Sequence, residues 1–220
     1  MTPPEEPRPR TPLTKGRVLD AAVALADRKG LGAVTMRRLG AELGFEAMAL
    51  YKHIANKEEI LDGMVELVIG EIEIPAEGAD WKEAMRRRAI SAREVLGEHS
   101  WAIGLLEARD SSGPAVLRYL NGVLGSLRSA GFSIENAAHA FSLLDSYVYG
   151  QVIQETNMPL STSEETTESA SPTLDHTTMS EYPHLVAMYE HATTFGYTFD
   201  GEFEFGLNLI LEGLERHRYT

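Results

Sequence analysis

The chain has 220 residues, no cysteine and a formal net charge of −13, with 43% hydrophobic and 24% charged residues. That length can bury a substantial core and suits a small and a larger module, while the lack of cysteine excludes disulfides, thiolate metal sites and cysteine nucleophiles. No run of 18 apolar residues marks a membrane span, and the opening MTPPEEPRPRTP lacks the apolar stretch of a secretory signal, so no membrane contact and a cytoplasmic location are expected. The charge is unevenly distributed: residues 1–60 hold 10 Lys or Arg against 8 Asp or Glu, and residues 61–220 hold 10 against 25. A mildly basic head on an acidic body can meet a polyanion with one face and repel it with the rest, giving a salt-sensitive affinity.

Residues 1–13 are proline-rich and polar and read as a disordered arm. A first helix is expected from Thr14 to Lys29, with Val18, Ala21, Ala22 and Leu25 on one face and Gly30 ending it. Thr35 can cap a second helix carrying Met36, Leu39 and Leu43, which Gly44 closes. A third spans Ala47 to Ile54, with Leu50 and Ile54 on one face. Asn56 then caps a fourth, with Glu59 in the position of a capping box, and its buried stripe is Ile60, Leu61, Met64, Leu67 and Val68 up to Ile72. Two short helices joined by a glycine turn have the spacing of a helix-turn-helix, whose second helix can enter the DNA major groove.

Beyond Pro75 the periodicity predicts helices near 81–99, 101–109, 114–130, 133–155, 181–195 and 200–217. Between Thr156 and Ser180 the run STSEETTESASPT has no large apolar residue and reads as a mobile loop. There is no internal repeat and no sustained β-period. The expected class is all-α, with a three-helix DNA-binding domain over 14–56, a linking helix over 57–74 and a larger helical domain over 75–220.

The first helix with Ala21, Ala22 and Leu25, then Thr35, Arg37, Leu39, Leu43 and Gly44, and above all the run LYKHIANKEE at 50–59 together resemble the DNA-binding domain of the tetracycline-repressor (TetR) family of bacterial regulators. The run GFSIENA at 131–137 and the closing FEFGLNLILEGLE at 203–215 resemble, more loosely, that family's tetracycline-repressor branch in its ligand-binding domain. The resemblance implies a homodimer on a near-palindromic operator, with recognition helices about one DNA turn (~34–36 Å) apart. It also implies a small-molecule effector of unknown identity.

For DNA contact the reading singles out Thr35, Arg37, Ala47, Met48, Ala49, Tyr51, Lys52, His53 and Lys57. Tyr51, Lys52, His53 and Lys57 suit phosphates and base edges, and Arg37 suits a guanine edge or a phosphate. Ala47, Met48 and Ala49 sit where the family reads bases but offer no hydrogen bonds, so they would meet thymine methyls. Candidate pocket residues are Trp101, Arg109, Phe141, Asp145, Tyr149 and Gln154. Asp145 interrupts the stripe Phe141, Leu144, Val148 and Val152, where a buried carboxylate needs a partner: an interface or core hydrogen bond, or a ligand. The resemblance assigns the dimer interface to Leu144, Val148, Phe203, Leu207, Ile210 and Leu214.

Aligned on the 131–133 motif, the family's metal-binding histidine falls on Glu107, another pocket histidine on Ser146 and the pocket glutamate on Gln154, which argues against a magnesium-tetracycline effector. Glu181-x-x-His184 with His191 is too little for a di-iron bundle, and no P-loop, G-x-S-x-G or G-x-G-x-x-G occurs. No cofactor and no metal are therefore expected. The reading is a ligand-responsive DNA-binding regulator, most simply a repressor, and not an enzyme. Alternatives are an activator or effector-independent regulator of the same family, or a metal-dependent helical enzyme.

Overall fold

The computed structural model describes residues 12–76, 78–108, 113–157, 181–196 and 198–219, and these contain helices and connecting turns but no strand. Among the described residues there are ten α-helices: α1 Lys15–Lys29, α2 Met36–Leu43, α3 Ala47–Leu50, α4 Lys57–Glu71, α5 Trp81–Glu98, α6 Trp101–Ala108, α7 Pro114–Ser129, α8 Ile134–Asn157, α9 Pro183–Phe195 and α10 Phe199–Glu215. The expected helices fall within two residues of these bounds, except that the third is shorter than expected. Thr156 and Asn157 belong to α8 rather than to the loop expected from 156, with the Thr156 hydroxyl donating to the Val152 carbonyl. The rest of that segment, and the proline-rich arm up to Thr11, lie outside the described residues.

The chain divides into two compact units, Met1–Glu71 with Trp101–Leu117, and Ile72–Ser100 with Arg118–Thr220. In the first unit, Val18 and Leu25 of α1, Leu39 of α2, Leu50 of α3, and Ile60 and Met64 of α4 are all fully buried. On α4, Val65 and Ile69 join the core, whereas Leu67, expected in the buried stripe, is exposed. Three hydrogen bonds to two side chains, Asp27 and Glu66, hold α6 and the start of α7 in this unit. Trp101 Nε1 donates to Asp27 Oδ1 of α1 at 2.7 Å, and the Glu66 carboxylate of α4 accepts the Ala115 N–H at 2.7 Å and the Val116 N–H at 3.2 Å. The first amides of a helix have no intrahelical acceptor, so Glu66 caps α7 from outside.

In the second unit α5 packs along α8, and α8 along α10. Buried Trp81 meets Phe132 edge-on, with ring centroids 4.9 Å apart, and donates through Nε1 to Glu215 at 3.0 Å. Gly206 lets α8 and α10 approach: a Cβ there would lie 2.2 Å from the Tyr147 hydroxyl, which donates to the Glu202 and Phe203 carbonyls. Arg93 joins three helices by pairing with Glu155 of α8 at 2.8 Å and Asp200 of α10 at 2.7 Å, its guanidinium over the Phe203 ring.

This packing takes five of the six residues expected at the dimer interface into the protomer's own core and leaves Ile210 open to either role. Leu144, Val148, Phe203 and Leu207 are at most 1% exposed and Leu214 is 8% exposed within a single chain, and Ile210 is half-buried. The stripe repeating every three to four residues on α8 and α10 fills the core of its own protomer. The large apolar residues these helices turn outward are Ile134 at the start of α8, Leu143 and Ile153 further along it, and Phe205 and Leu209 of α10.

Candidate nucleic-acid interface and buried polar cluster

The helix-turn-helix is built from local signals. Thr35 stands in extended backbone before α2 and its hydroxyl accepts the Arg38 N–H. Gly44 ends α2 in the left-handed conformation at φ 74°, while the Gly44 and Phe45 N–H groups bond back to the Ala41 and Gly40 carbonyls. That pair of bonds is a Schellman closure, for which glycine carries no steric penalty. Gly40 is needed for another reason: a Cβ there would lie 2.7 Å from the Phe45 carbonyl oxygen and 3.2 Å from the Ala47 nitrogen, so the turn rests directly on the glycine.

The regular part of α3 covers only Ala47–Leu50, shorter than the helix expected to reach Ile54. The Lys52 and His53 N–H groups bond three residues back, to Ala49 and Leu50, and Ile54 bonds four back to Leu50. The chain stays coiled but tightens, which turns Ile54 into the core at 2% exposure. Asn56 Oδ1 then accepts the Glu59 N–H at 2.8 Å. Glu59 completes the box one residue early by accepting the Ala55 N–H at 2.7 Å, and it also takes Lys15 Nζ at 2.5 Å. The Lys15 bond and the Ala55 amide hold the Glu59 carboxyl below its usual value.

The side chains of Arg37, Met48, Tyr51, Lys52, His53 and Lys57 are all exposed, Met48 by 74%, whereas Ala47 and Ala49 are half-buried on either side of it. Thr35 is exposed but its hydroxyl is engaged as the cap of α2.

Three of the candidate pocket residues come together. Phe141, Asp145 and Tyr149 lie one turn apart on α8, and Tyr149 donates to Asp145 Oδ2 at 3.5 Å. Trp101 belongs to the first unit through its bond to Asp27, Gln154 is exposed on the far side of α8, nine residues from Asp145, and Arg109 lies outside the described residues.

The partner of Asp145 is one that the sequence pattern did not reveal. Arg88 of α5, fully buried, donates through Nη2 to Asp145 Oδ1, and through Nε, at 2.6 Å, and Nη2 to the Tyr119 hydroxyl. Its Cζ stands 5.1 Å from the Tyr119 ring centroid and 5.4 Å from that of Phe141. Burial works against the Arg88 charge, but the oxygens of Tyr119 and Asp145 outweigh it and raise its pKa. Burial also pushes the Tyr119 hydroxyl up to about 12 against the pull of Arg88, so it stays protonated. A buried ion pair keeps its charges only with such added hydrogen bonds. Arg88 Nη1 alone, buried with the rest, has no acceptor. The signal for Arg88 was present in its place on the apolar stripe of Trp81, Met85, Ala92 and Leu96, hidden in the run Arg86-Arg87-Arg88.

Residues 18–64 match the family of bacterial regulatory proteins named for tetR, and residues 74–218 match the tetracyclin repressor-like C-terminal domain. The chain is 34% identical over 216 residues to the HTH-type transcriptional repressor DrrR1 of Streptomyces coeruleorubidus, covering 94% of this chain and 79% of that one. It is 28% identical to the class G tetracycline repressor of Vibrio anguillarum, covering 94% and 96% of the two chains. Among solved structures, ActR of Streptomyces coelicolor in complex with actinorhodin superposes with a TM-score of 0.75 at 28% identity, covering 96% of this chain and all of that one. The chain belongs to the TetR family of transcriptional regulators.

Proposed function

We propose that the protein is a cytoplasmic repressor that binds a near-palindromic operator as a homodimer and leaves it when a small molecule occupies the helical body. The observation that carries the DNA half is the capped turn at residues 35–59, which leaves Arg37, Met48, Tyr51, Lys52, His53 and Lys57 exposed around one short helix. In this reading Tyr51, Lys52, His53 and Lys57 hold phosphates and so fix register, Arg37 reads a base edge, and Met48 packs against thymine methyls. Ala47 and Ala49 allow the backbone close approach. Supporting the release half, ActR has been solved with actinorhodin bound. An effector acts by binding the DNA-free arrangement of the dimer more tightly than the bound one, because equal affinity for both shifts nothing.

The apolar pairs Leu143 with Ile153 and Phe205 with Leu209, turned outward from α8 and α10, replace the buried residues as the proposed dimer surface. The test is fluorescence anisotropy with the intergenic DNA beside the protein's own gene. The Tyr51→Ala, Lys57→Ala double variant should bind every sequence more weakly, and the slope of log affinity against log salt should flatten by about one for each phosphate that the protein no longer neutralises. Unchanged affinity in a folded double variant rules out this interface.

A further inference from the structure

Among the described residues, one buried side-chain nitrogen, Nη1 of Arg88 in the second unit, has no hydrogen-bond partner. Arg88 is 0% exposed, its Nε and Nη2 are committed to Tyr119 and Asp145, and its Nη1 has two N–H bonds with no acceptor. A buried guanidinium donor left unmatched is costly, and native proteins retain such a group where something else completes it. The surroundings restrict what that is. Asp145 already balances the Arg88 charge, so a second full anion would leave the cluster with an uncompensated negative charge in a desolvated place. A neutral oxygen acceptor has no such cost. Aromatic rings flank the guanidinium, Tyr119 at 5.1 Å and Phe141 at 5.4 Å, and the half-buried rings of Phe141 and Tyr149 lie one turn either side of Asp145. They offer flat surfaces to a flat ligand.

We propose that Arg88 Nη1 is the polar anchor of the effector site, and that the effector class is a planar aromatic compound bearing a neutral carbonyl, which accepts from Nη1 while its rings stack beside Phe141 and Tyr149. Asp145 and Tyr119 are positioning residues that orient the guanidinium. This rests on the effector reading above, and of the roles the sequence left open for Asp145 it takes the hydrogen bond within the core rather than the ligand contact.

The experiment uses the full-length protein and three probes of one shape: acetylnaphthalene, ethylnaphthalene and naphthoate, titrated calorimetrically without DNA. The wild type should bind acetylnaphthalene about ten- to a hundredfold more tightly than ethylnaphthalene, the value of a hydrogen bond from a charged donor, and naphthoate no more tightly than acetylnaphthalene. Arg88→Lys keeps a cation for Asp145 but removes the forked second nitrogen, so the ratio of acetylnaphthalene to ethylnaphthalene affinity should collapse toward one. The carbonyl stretch of isotope-labelled acetylnaphthalene should move to lower wavenumber on binding to wild type and not to Arg88→Lys, a signature a purely structural arginine would not produce. Equal affinity of the wild type for the acetyl and ethyl probes, no binding of any probe, or a clear preference for naphthoate overturns the proposal. Operator release is followed separately: an acetyl preference without release leaves the anchor standing and sinks the effector reading.

Discussion

At Gly40, a single hydrogen atom in place of a methyl group sets the geometry of the DNA-reading turn. Gly40→Ala would press a Cβ to within 2.7 Å of the Phe45 carbonyl, a backbone atom that cannot rotate aside. The expected cost is about 1–3 kcal/mol, as for other overpacked positions, with α3 displaced from α2. Operator affinity should fall more than thermal stability does, and anisotropy with calorimetric melting of the same samples separates the two. Melting and operator binding both equal to wild type would show that the turn yields without consequence. The residues forming this turn were legible in the sequence because caps are local: the Thr35 and Asn56 side chains each accept an amide three residues on, and the Gly44 amide donates three residues back. Arg88 was not, because its partners Tyr119 and Asp145 lie 31 and 57 residues away and only the folded chain brings them together.

Among the elements, α4 begins in a cluster that also fixes α1. Glu59 accepts Lys15 of α1 and the Ala55 amide, and ionisation strengthens both bonds, which is why its carboxyl titrates below the usual 4.5. A carboxyl depressed in the folded state contributes stability that is complete above its unfolded value and is lost as the pH falls through the folded one. Glu59→Gln should therefore lower the melting temperature at neutral pH, and the gap to wild type should close as the pH is taken below 4.5. A gap independent of pH would mean the side chain acts by packing rather than by charge. Helix positions were readable from apolar spacing, but the end of α3 was not: Leu50 and Ile54 fit one helical face, while the chain tightens between them to bury both.

For the whole molecule, the question is which face of α8 and α10 meets a second copy. Periodicity identifies an apolar stripe without saying whether it faces its own core or a partner, so Leu144, Val148, Phe203 and Leu207 read equally well either way until their burial is known. The Phe205→Glu, Leu209→Glu double variant, altering side chains 65% and 55% exposed, should yield a folded monomer by sedimentation and abolish operator binding. Leu207→Glu places a charge in the protomer core and should instead prevent folding. A double variant that sediments as a dimer would move the interface to another face.

The capping of α7 by Glu66 and the bond from Trp101 to Asp27 bear on protein engineering. Regulators of this kind invite chimaeras in which one protein's operator preference is joined to another's inducer response, and the sequence suggests a junction after α4. Such a graft would leave Glu66 without the two amides it accepts and Asp27 without its indole donor, because residues 101–117 are compact with the head although they follow α5 in the chain. A transplantable reading head is thus a discontinuous part, and residues 101–117 must travel with residues 12–71 for the exchange to preserve it.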